Sequence, residues 1–219
     1  MKKLRIIDLG VMDYASALGI MQDVHRDVAH GVDDTILFVE HTPVITIGKD
    51  GGDRSVVDEG HVRNIRVPVV HVDRGGGAVV HNNGQLVGYP VMKLADMPLD
   101  LIEEIVDTMA DVAAEFSIKT HRGAEPGLWA SGGKIGFVGM KVHRNISTHG
   151  FAINVSNDLD LFQTIETCGV RHERVSNLTL LTRQLISMDS VKQICISKFA
   201  RRFGYIPDQF IMKEGSAAV

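Results

Sequence analysis

Residues 74–91 read RGGGAVVHNNGQLVGYPV, and the rest of the chain is best understood from them outward. Three glycines follow an arginine, then come a histidine, two asparagines and a further glycine, and the stretch closes on an apolar run. Glycine has no Cβ, so it admits positive φ and lets backbone come close to a ligand. Successive free N–H groups in such a turn can form a concave nest for an anion or a carbonyl oxygen. Arg74 adds a fork of donors matched to phosphate or carboxylate. A tight loop between two strands explains the same glycines. No Gly-Lys-Ser/Thr follows, which excludes a P-loop, and adjacent glycines that open no obvious helix exclude the dinucleotide fingerprint.

On either side the pattern is that of strands. Residues 67–72 are β-rich and feed Asp73 and the loop, while residues 86–94 form an apolar run long enough for a buried strand. Further upstream, residues 4–9 read as a strand. Asp13 caps a helix to about residue 29, and Gly31 stops it. Residues 36–40 and 44–47 are β-rich runs split by His41-Thr42-Pro43, and the polar, glycine-containing stretch 49–60 reads as a surface loop.

Downstream, residues 99–116 give the clearest helix. Ile102, Ile105, Met109, Val112 and Phe116 fall on one face, and Asp96 and Pro98 suit its start. Short strands are expected at 118–121, 127–130, 134–142 and 148–155, with Gly132-Gly133 as a hairpin turn. Residues 190–201 predict a second long helix, and the small, polar tail 213–219 is expected to fray. No internal repeat, low-complexity segment or linker interrupts residues 1–219. Runs of strands separated by a few long helices predict a single mixed α/β (α+β) domain rather than a barrel.

Composition narrows the function classes. Apolar residues make up 44% of the chain, ordinary for a protein with a real core. A net charge of −4 gives no broad attraction to nucleic acid or anionic membrane. No apolar run approaches the roughly 20 residues that span a bilayer. The N-terminal MKKLRIIDLGVMDY has an apolar part too short for a signal peptide, broken by Asp8. The two cysteines, Cys168 and Cys195, are then expected as reduced thiols in the cytoplasm.

Cys195 lies with Val191, Ile194 and Phe199 on the apolar side of a helix and reads as a small buried hydrophobe. Cys168 sits in Glu-Thr-Cys-Gly, outside any periodic apolar stripe. It is either another buried thiol or a nucleophile whose glycine neighbour admits a substrate. Lys134 opens the apolar strand Lys-Ile-Gly-Phe-Val-Gly. It is either a solvent-facing strand end or a desolvated lysine; beside a thiol its charge would stabilise thiolate, whereas burial favours the neutral amine. Of the ten histidines, His81, His143, His149 and His172 invite a metal reading, but none shows a ligand spacing and no C-x-x-C exists. His81 and His149 are expected to orient loops by hydrogen bonds, and no histidine stands out as the base of a Cys–His pair.

Three motifs occur in a specific order: RGG…H…GQLVGYP, then Lys134-Ile135…Gly, then HGFAIN from His149 followed by Cys168-Gly169. In this order they resemble the lipoyl(octanoyl) transferase family, also called lipoate–protein ligase B, over about residues 36–180. The resemblance implies the mixed α/β catalytic domain shared with biotin and lipoate ligases. It implies transfer of an octanoyl group from acyl carrier protein to a lysine ε-amine on lipoyl domains of 2-oxo-acid dehydrogenases and the glycine cleavage H protein. It maps the acyl-thioester cysteine onto Cys168 and its partner lysine onto Lys134. Substrate contacts map onto Arg74, Gly75, Gly76, Gly77, Ala78, Val79, Val80 and His81, onto Phe137, Val138 and Gly139, and onto Gly150, Phe151 and Ala152. Residues 78–80 and 137–139 are then expected to line the alkyl-chain tunnel, and glycine-loop N–H groups to stabilise an oxyanion.

No cofactor, metal or ATP is implied, and the protein is expected to act as a monomer. The chain departs from the family pattern at Val80-His81-Asn82-Asn83, where an aromatic and Gly-Pro flank the histidine, at Thr167, where proline precedes the cysteine, and at Phe137, where a small residue is usual. An ATP-dependent lipoate ligase of the same fold is the alternative, and a non-catalytic module that binds acyl carrier or lipoyl domains is a third reading.

Overall fold

A computed structural model describes residues 2–52, 55–94, 100–167, 170–171 and 173–212. Along the chain lie β1 (Lys2–Met12), α1 (Tyr14–Ala29), β2 (Thr35–His41), β3 (Val44–Ile47), α2 (Glu59–Asn64), β4 (Val69–His71), β5 (Ala78–His81) and β6 (Gln85–Val91). After them come α3 (Leu101–Glu115), β7 (Thr120–His121), β8 (Gly127–Ala130), β9 (Gly133–His143) and β10 (Ile146–Asn154). A 3-10 turn (Asp160–Thr164), β11 (Glu166–Thr167), β12 (Val170–Arg171), α4 (Leu178–Thr182), α5 (Met188–Phe203) and β13 (Tyr205–Met212) complete the order.

The strands form two sheets. One has eight strands in the order β13-β1-β2-β6-β10-β9-β8-β7, and the other five in the order β12-β11-β5-β3-β4. β1 pairs with β2 in parallel, so α1 is the crossover that a parallel pair requires. Asp13 accepts a hydrogen bond from the Ser16 N–H at 2.9 Å and caps that helix as its sequence predicts. Ala17, Met21, Val24 and Val28 of α1 are buried with Leu37, Val39, Val87 and Tyr89 of the large sheet and with Ile45, Ile47, Val79 and Val80 of the small one. On the opposite face of the large sheet, Ile105, Met109 and Val112 of α3 and Val191, Cys195 and Phe199 of α5 pack on Leu4, Ile36, Phe38 and Ile153. A single large sheet therefore separates two apolar layers, and the small sheet belongs to one of them.

Several elements differ from the sequence expectation. α3 begins at Leu101, and Asp100 caps it without a side-chain hydrogen bond. The expected start at Asp96 and Pro98 lies outside the described residues, as does the tail 213–219. Ile102 stands in the first turn of α3 and is 42% exposed, so the buried face runs from Ile105 instead. The stretch expected as surface loop ends in α2, whose start Asp58 caps through the His61 N–H at 2.9 Å. β13, which no periodic pattern announced, pairs in parallel with β1 and carries Ile206, Phe210 and Met212 on its exposed side. Among the described residues no helix is long and apolar enough to cross a membrane.

Candidate active site

A narrow cleft opens between α1, β5, β6, β9 and β10, a concave place of the kind that small-ligand sites occupy. Of the residues expected to meet substrate, Arg74, Val79, His81, Phe137, Val138, Gly139, Gly150, Phe151 and Ala152 line it. Val79 and His81 face the cleft because side chains two apart share one face of a strand. Ala78 and Val80 alternate away and are fully buried in the core. Gly75, Gly76 and Gly77 are not among the lining residues either. Tyr14, Val87, Tyr89 and His149 are, although only His149 had been singled out from the sequence.

The glycine loop is built from inside. Arg74 is only 6% exposed, and its guanidinium donates to the carbonyls of Gly75 at 2.9 Å and Gly77 at 3.1 Å. It also donates to the carbonyl and the hydroxyl of Thr46, at 3.1 and 2.7 Å. These bonds fold the loop rather than offering the fork to a ligand. The expected nest is likewise occupied: the Gly75 N–H donates to the Met140 carbonyl at 3.0 Å, and the Gly76 N–H to the Asp50 carboxylate at 2.7 Å. These two groups are therefore not available to an oxyanion in this conformation. Gly76 takes a left-handed φ of 82°, which glycine adopts without penalty. Gly139 lies so close to the loop that a Cβ would meet Arg74 Cδ at 2.9 Å and the Gly75 carbonyl at 3.0 Å.

The inner wall is a cluster of neutral rings. His41 Nδ1 lies 3.1 Å from the Met12 carbonyl, which only accepts, so Nδ1 carries the proton. Its Nε2 then accepts from the Tyr89 hydroxyl at 2.7 Å. Burial pushes His41 down to about 4, Tyr14 up to about 12 and Tyr89 well above the usual phenol value. His81 is pushed well below the usual imidazole value by burial and then by the nearby His41. At the rim, His149 has a φ of 56° and donates from Nε2 to Asp73 at 3.0 Å. A hydrogen bond from Lys141 and a weaker one from His149 hold Asp73 down to about 2, against its partial burial. At neutral pH the inner wall thus carries uncharged imidazoles and phenols, which suits an uncharged acyl chain.

Lys134 lies behind this wall. Its side chain is fully buried, with Glu173 Oε2 3.6 Å from Nζ. Nζ sits 4.3 Å from the Trp129 ring centroid and 5.2 Å from that of Phe137, and Phe137 in turn stacks on Phe162 at 5.4 Å. A strand-end surface lysine is excluded. The Lys134 N–H donates to the Arg174 carbonyl at 2.8 Å, and the Ser176 N–H donates to the Lys134 carbonyl at 2.9 Å. Cys168, Gly169 and His172 lie outside the described residues. On the side before them, Thr167 pairs with Ala78 of β5; beyond them, Val175 bridges Lys134. Cys195 is fully buried, and burial pushes its thiol up to about 12. Among the described residues no group of three His, Cys, Asp or Glu side chains is placed to hold a metal ion.

An octanoyltransferase of Geobacter metallireducens is 35% identical over 213 residues, 94% of each chain. A bi-partite lipoate protein ligase from Thermoplasma acidophilum superposes with a TM-score of 0.78 at 18% identity, covering 95% of this chain and 88% of its own. Biotin protein ligase from Aquifex aeolicus, in complex with biotin and ATP, superposes with a TM-score of 0.57 at 13% identity, covering 90% and 69%. The two structural likenesses establish the fold, a mixed α/β domain of the lipoate and biotin ligase kind. The family description "Lipoyl protein ligase A/B catalytic domain" matches residues 13–200, from the cap of α1 to the last turns of α5, and the chain belongs to that family.

Proposed function

We propose that this protein is an octanoyltransferase: it moves an octanoyl group from acyl carrier protein to the lysine ε-amine of lipoyl domains, through a thioester on Cys168. The acceptors are lipoyl domains of 2-oxo-acid dehydrogenases and the glycine cleavage H protein, and the protein acts as a cytoplasmic monomer whose 219 residues form one catalytic domain. The observation that carries the reading is Lys134, a fully buried lysine next to a largely apolar cleft, hydrogen-bonded through its backbone to residues 174 and 176, which follow Cys168 closely in the chain. The name of the Geobacter metallireducens relative, octanoyltransferase, supports the acyl group.

The chemistry balances without an energy source. The Cys168 thiolate attacks the donor thioester; a new C–S bond forms, the old one breaks, and the carrier leaves as a thiol with the proton that Cys168 gave up. The products are again a thioester and a thiol, so the step is nearly isoenergetic. The acceptor amine then attacks the acyl-cysteine, a C–N bond replaces the C–S bond, and the amine's proton passes by way of Lys134 to the cysteine sulfur. An amide is more stable than a thioester, so ATP is not required. Two steps also let two bulky partners use one site in turn.

Intact mass after incubation with octanoyl carrier protein, acceptor withheld, tests the reading. One octanoyl adduct is expected on Cys168, labile to hydroxylamine and discharged by apo lipoyl domain, with neither ATP nor added metal. Cys168→Ala should form no adduct and lose transfer. Full activity of Cys168→Ala, or an absolute need for ATP, sinks the reading, the latter in favour of a ligase of the same fold.

A further inference from the structure

We infer that Glu173 is a positioning residue that, with Trp129, fixes the side chain of Lys134 and holds it in the charged form. The inference rests on the reading that Lys134 serves Cys168, and it assigns how that lysine is prepared for its first task. Glu173 stands 39 positions further along the chain, yet the backbone bonds from Lys134 to Arg174 and from Ser176 to Lys134 set the register that brings it alongside. Its Oε1 accepts from the Trp129 indole N–H at 2.8 Å, which orients the carboxylate. Its Oε2 is buried, has no hydrogen-bond partner among the described residues and lies 3.6 Å from Nζ. The same indole that steers the carboxylate presents its ring face to Nζ at 4.3 Å.

Burial alone would favour the neutral amine at a fully enclosed lysine. A carboxylate and an indole face both favour the ammonium, the first as an opposite charge and the second through its quadrupole. With both in place, resting Lys134 is a cation poised to stabilise a thiolate, and it takes the proton of the incoming amine only after its own has moved. Trp129 thus acts twice, as a donor to the carboxylate and as a platform for the ammonium. In this role Glu173 works through Lys134.

The test uses the full chain and follows iodoacetamide alkylation of Cys168 by intact mass across pH, beside octanoyl transfer. In Lys134→Met the alkylation midpoint should rise toward the ordinary thiol value of about 8.5. Glu173→Gln should move it in the same direction and cut transfer at least about tenfold, Glu173→Asp should restore part of both, and the double variant should rise no further than Lys134→Met alone. A midpoint in Glu173→Gln equal to the parent's, while Lys134→Met shifts, overturns the inference and leaves the reading of Lys134 intact. A fall in the midpoint also overturns it, because a carboxylate that merely adds negative charge near the thiol would do that on removal. If Lys134→Met itself changes neither midpoint nor transfer, the pairing of Lys134 with Cys168 fails and this inference with it. Should Glu173→Gln not fold, Trp129→Phe decides: it keeps a ring under Nζ and removes the donor to Glu173, and a smaller upward shift is expected where no shift refutes.

Discussion

Replacing Phe137 by alanine would test where the acyl chain lies. The ring is 3% exposed, lines the cleft, and stacks on Phe162 with centroids 5.4 Å apart. Removing a buried phenylalanine ring costs about 3–5 kcal/mol, and the lower figure applies where the void opens onto an existing cleft. At ~2–4 °C per kcal/mol for a domain of this size, the thermal midpoint should fall by roughly 6–12 °C. A domain of ordinary stability, about 5–15 kcal/mol, stays folded at 25 °C. The space released lies on the cleft wall, next to Phe162 of the 3-10 turn. A decanoyl chain could then bury two further methylenes worth ~0.8 kcal/mol each. That corresponds to roughly 15-fold in kcat/KM for decanoyl relative to octanoyl donor. The assay is a competition between octanoyl and decanoyl carrier proteins for one apo lipoyl domain, read as the mass ratio of products. An unchanged ratio at normal turnover would mean that the alkyl chain does not end against Phe137.

Lys134→Met should cut transfer by at least about 10²-fold, whereas Lys134→Arg should keep rapid alkylation of Cys168 and still transfer poorly; parent-like turnover in Lys134→Met contradicts both roles. Cys195→Ala should retain full transfer and acyl-adduct formation while losing about 1 kcal/mol of stability, measured by urea denaturation, and a lost adduct would place the reactive thiol on α5. His41 has a folded-state pKa of about 4 against 6.5 when unfolded, so between those values the unfolded chain binds the extra proton. Its contribution to stability is full above pH 6.5 and should be lost by up to ~3 kcal/mol as pH falls toward 4. His41→Gln should flatten that part of a stability-against-pH curve, and an unaltered curve would mean that the folded protein accommodates the imidazolium.

The sequence carries the elements that repeat locally. α1 is legible from Asp13 and Gly31, and α3 from the spacing of Ile105, Met109 and Val112; the alternation that turns Val79 and His81 to the cleft and Ala78 and Val80 to the core was not read from the sequence, which expected 78–80 together to line the tunnel. What the sequence does not carry is set by contacts between distant segments. Whether Lys134 ends a strand in water or lies inside depends on Trp129, Glu173 and Phe137 closing around it, two of them from other elements. Tyr14 reaches the cleft because α1 crosses the large sheet at one place, which no local pattern specifies. Arg74 and the glycine N–H groups look like ligand donors in isolation, and only the loop at 48–50 and the carbonyl of Met140 reveal that they hold the loop together. β13 was missed because an edge strand with one exposed apolar side mimics neither an amphipathic helix nor a buried run. Glu173 gave no signal at all, since a lone glutamate among polar residues reads as surface.

The glycine loop and the buried lysine stand on different sheets, and a run of polar side chains joins them. The Arg74 guanidinium donates to Thr46 Oγ1 at 2.7 Å, which leaves the threonine proton for His81 Nε2, 3.4 Å away. His81 Nδ1 lies 2.7 Å from Gln85 Oε1. The Gln85 amide nitrogen donates to the Val80 carbonyl and to Asn154 Oδ1, at 3.1 and 2.9 Å. The Asn154 nitrogen donates to the Ser176 carbonyl at 3.0 Å, and the Ser176 N–H donates to the Lys134 carbonyl at 2.9 Å. The carbonyls of Val80 and Ser176 can only accept, so they fix which way each amide points; the amides fix the tautomer of His81, and burial keeps that ring neutral. Reversing any one link would leave a buried donor facing a donor, at a cost of about 1–3 kcal/mol. The loop and the lysine are therefore tied to each other by bonds of defined direction. Such prior ordering is what the proposed two-step transfer asks of its site, since a group already held in place costs no reorganisation when the reaction occurs.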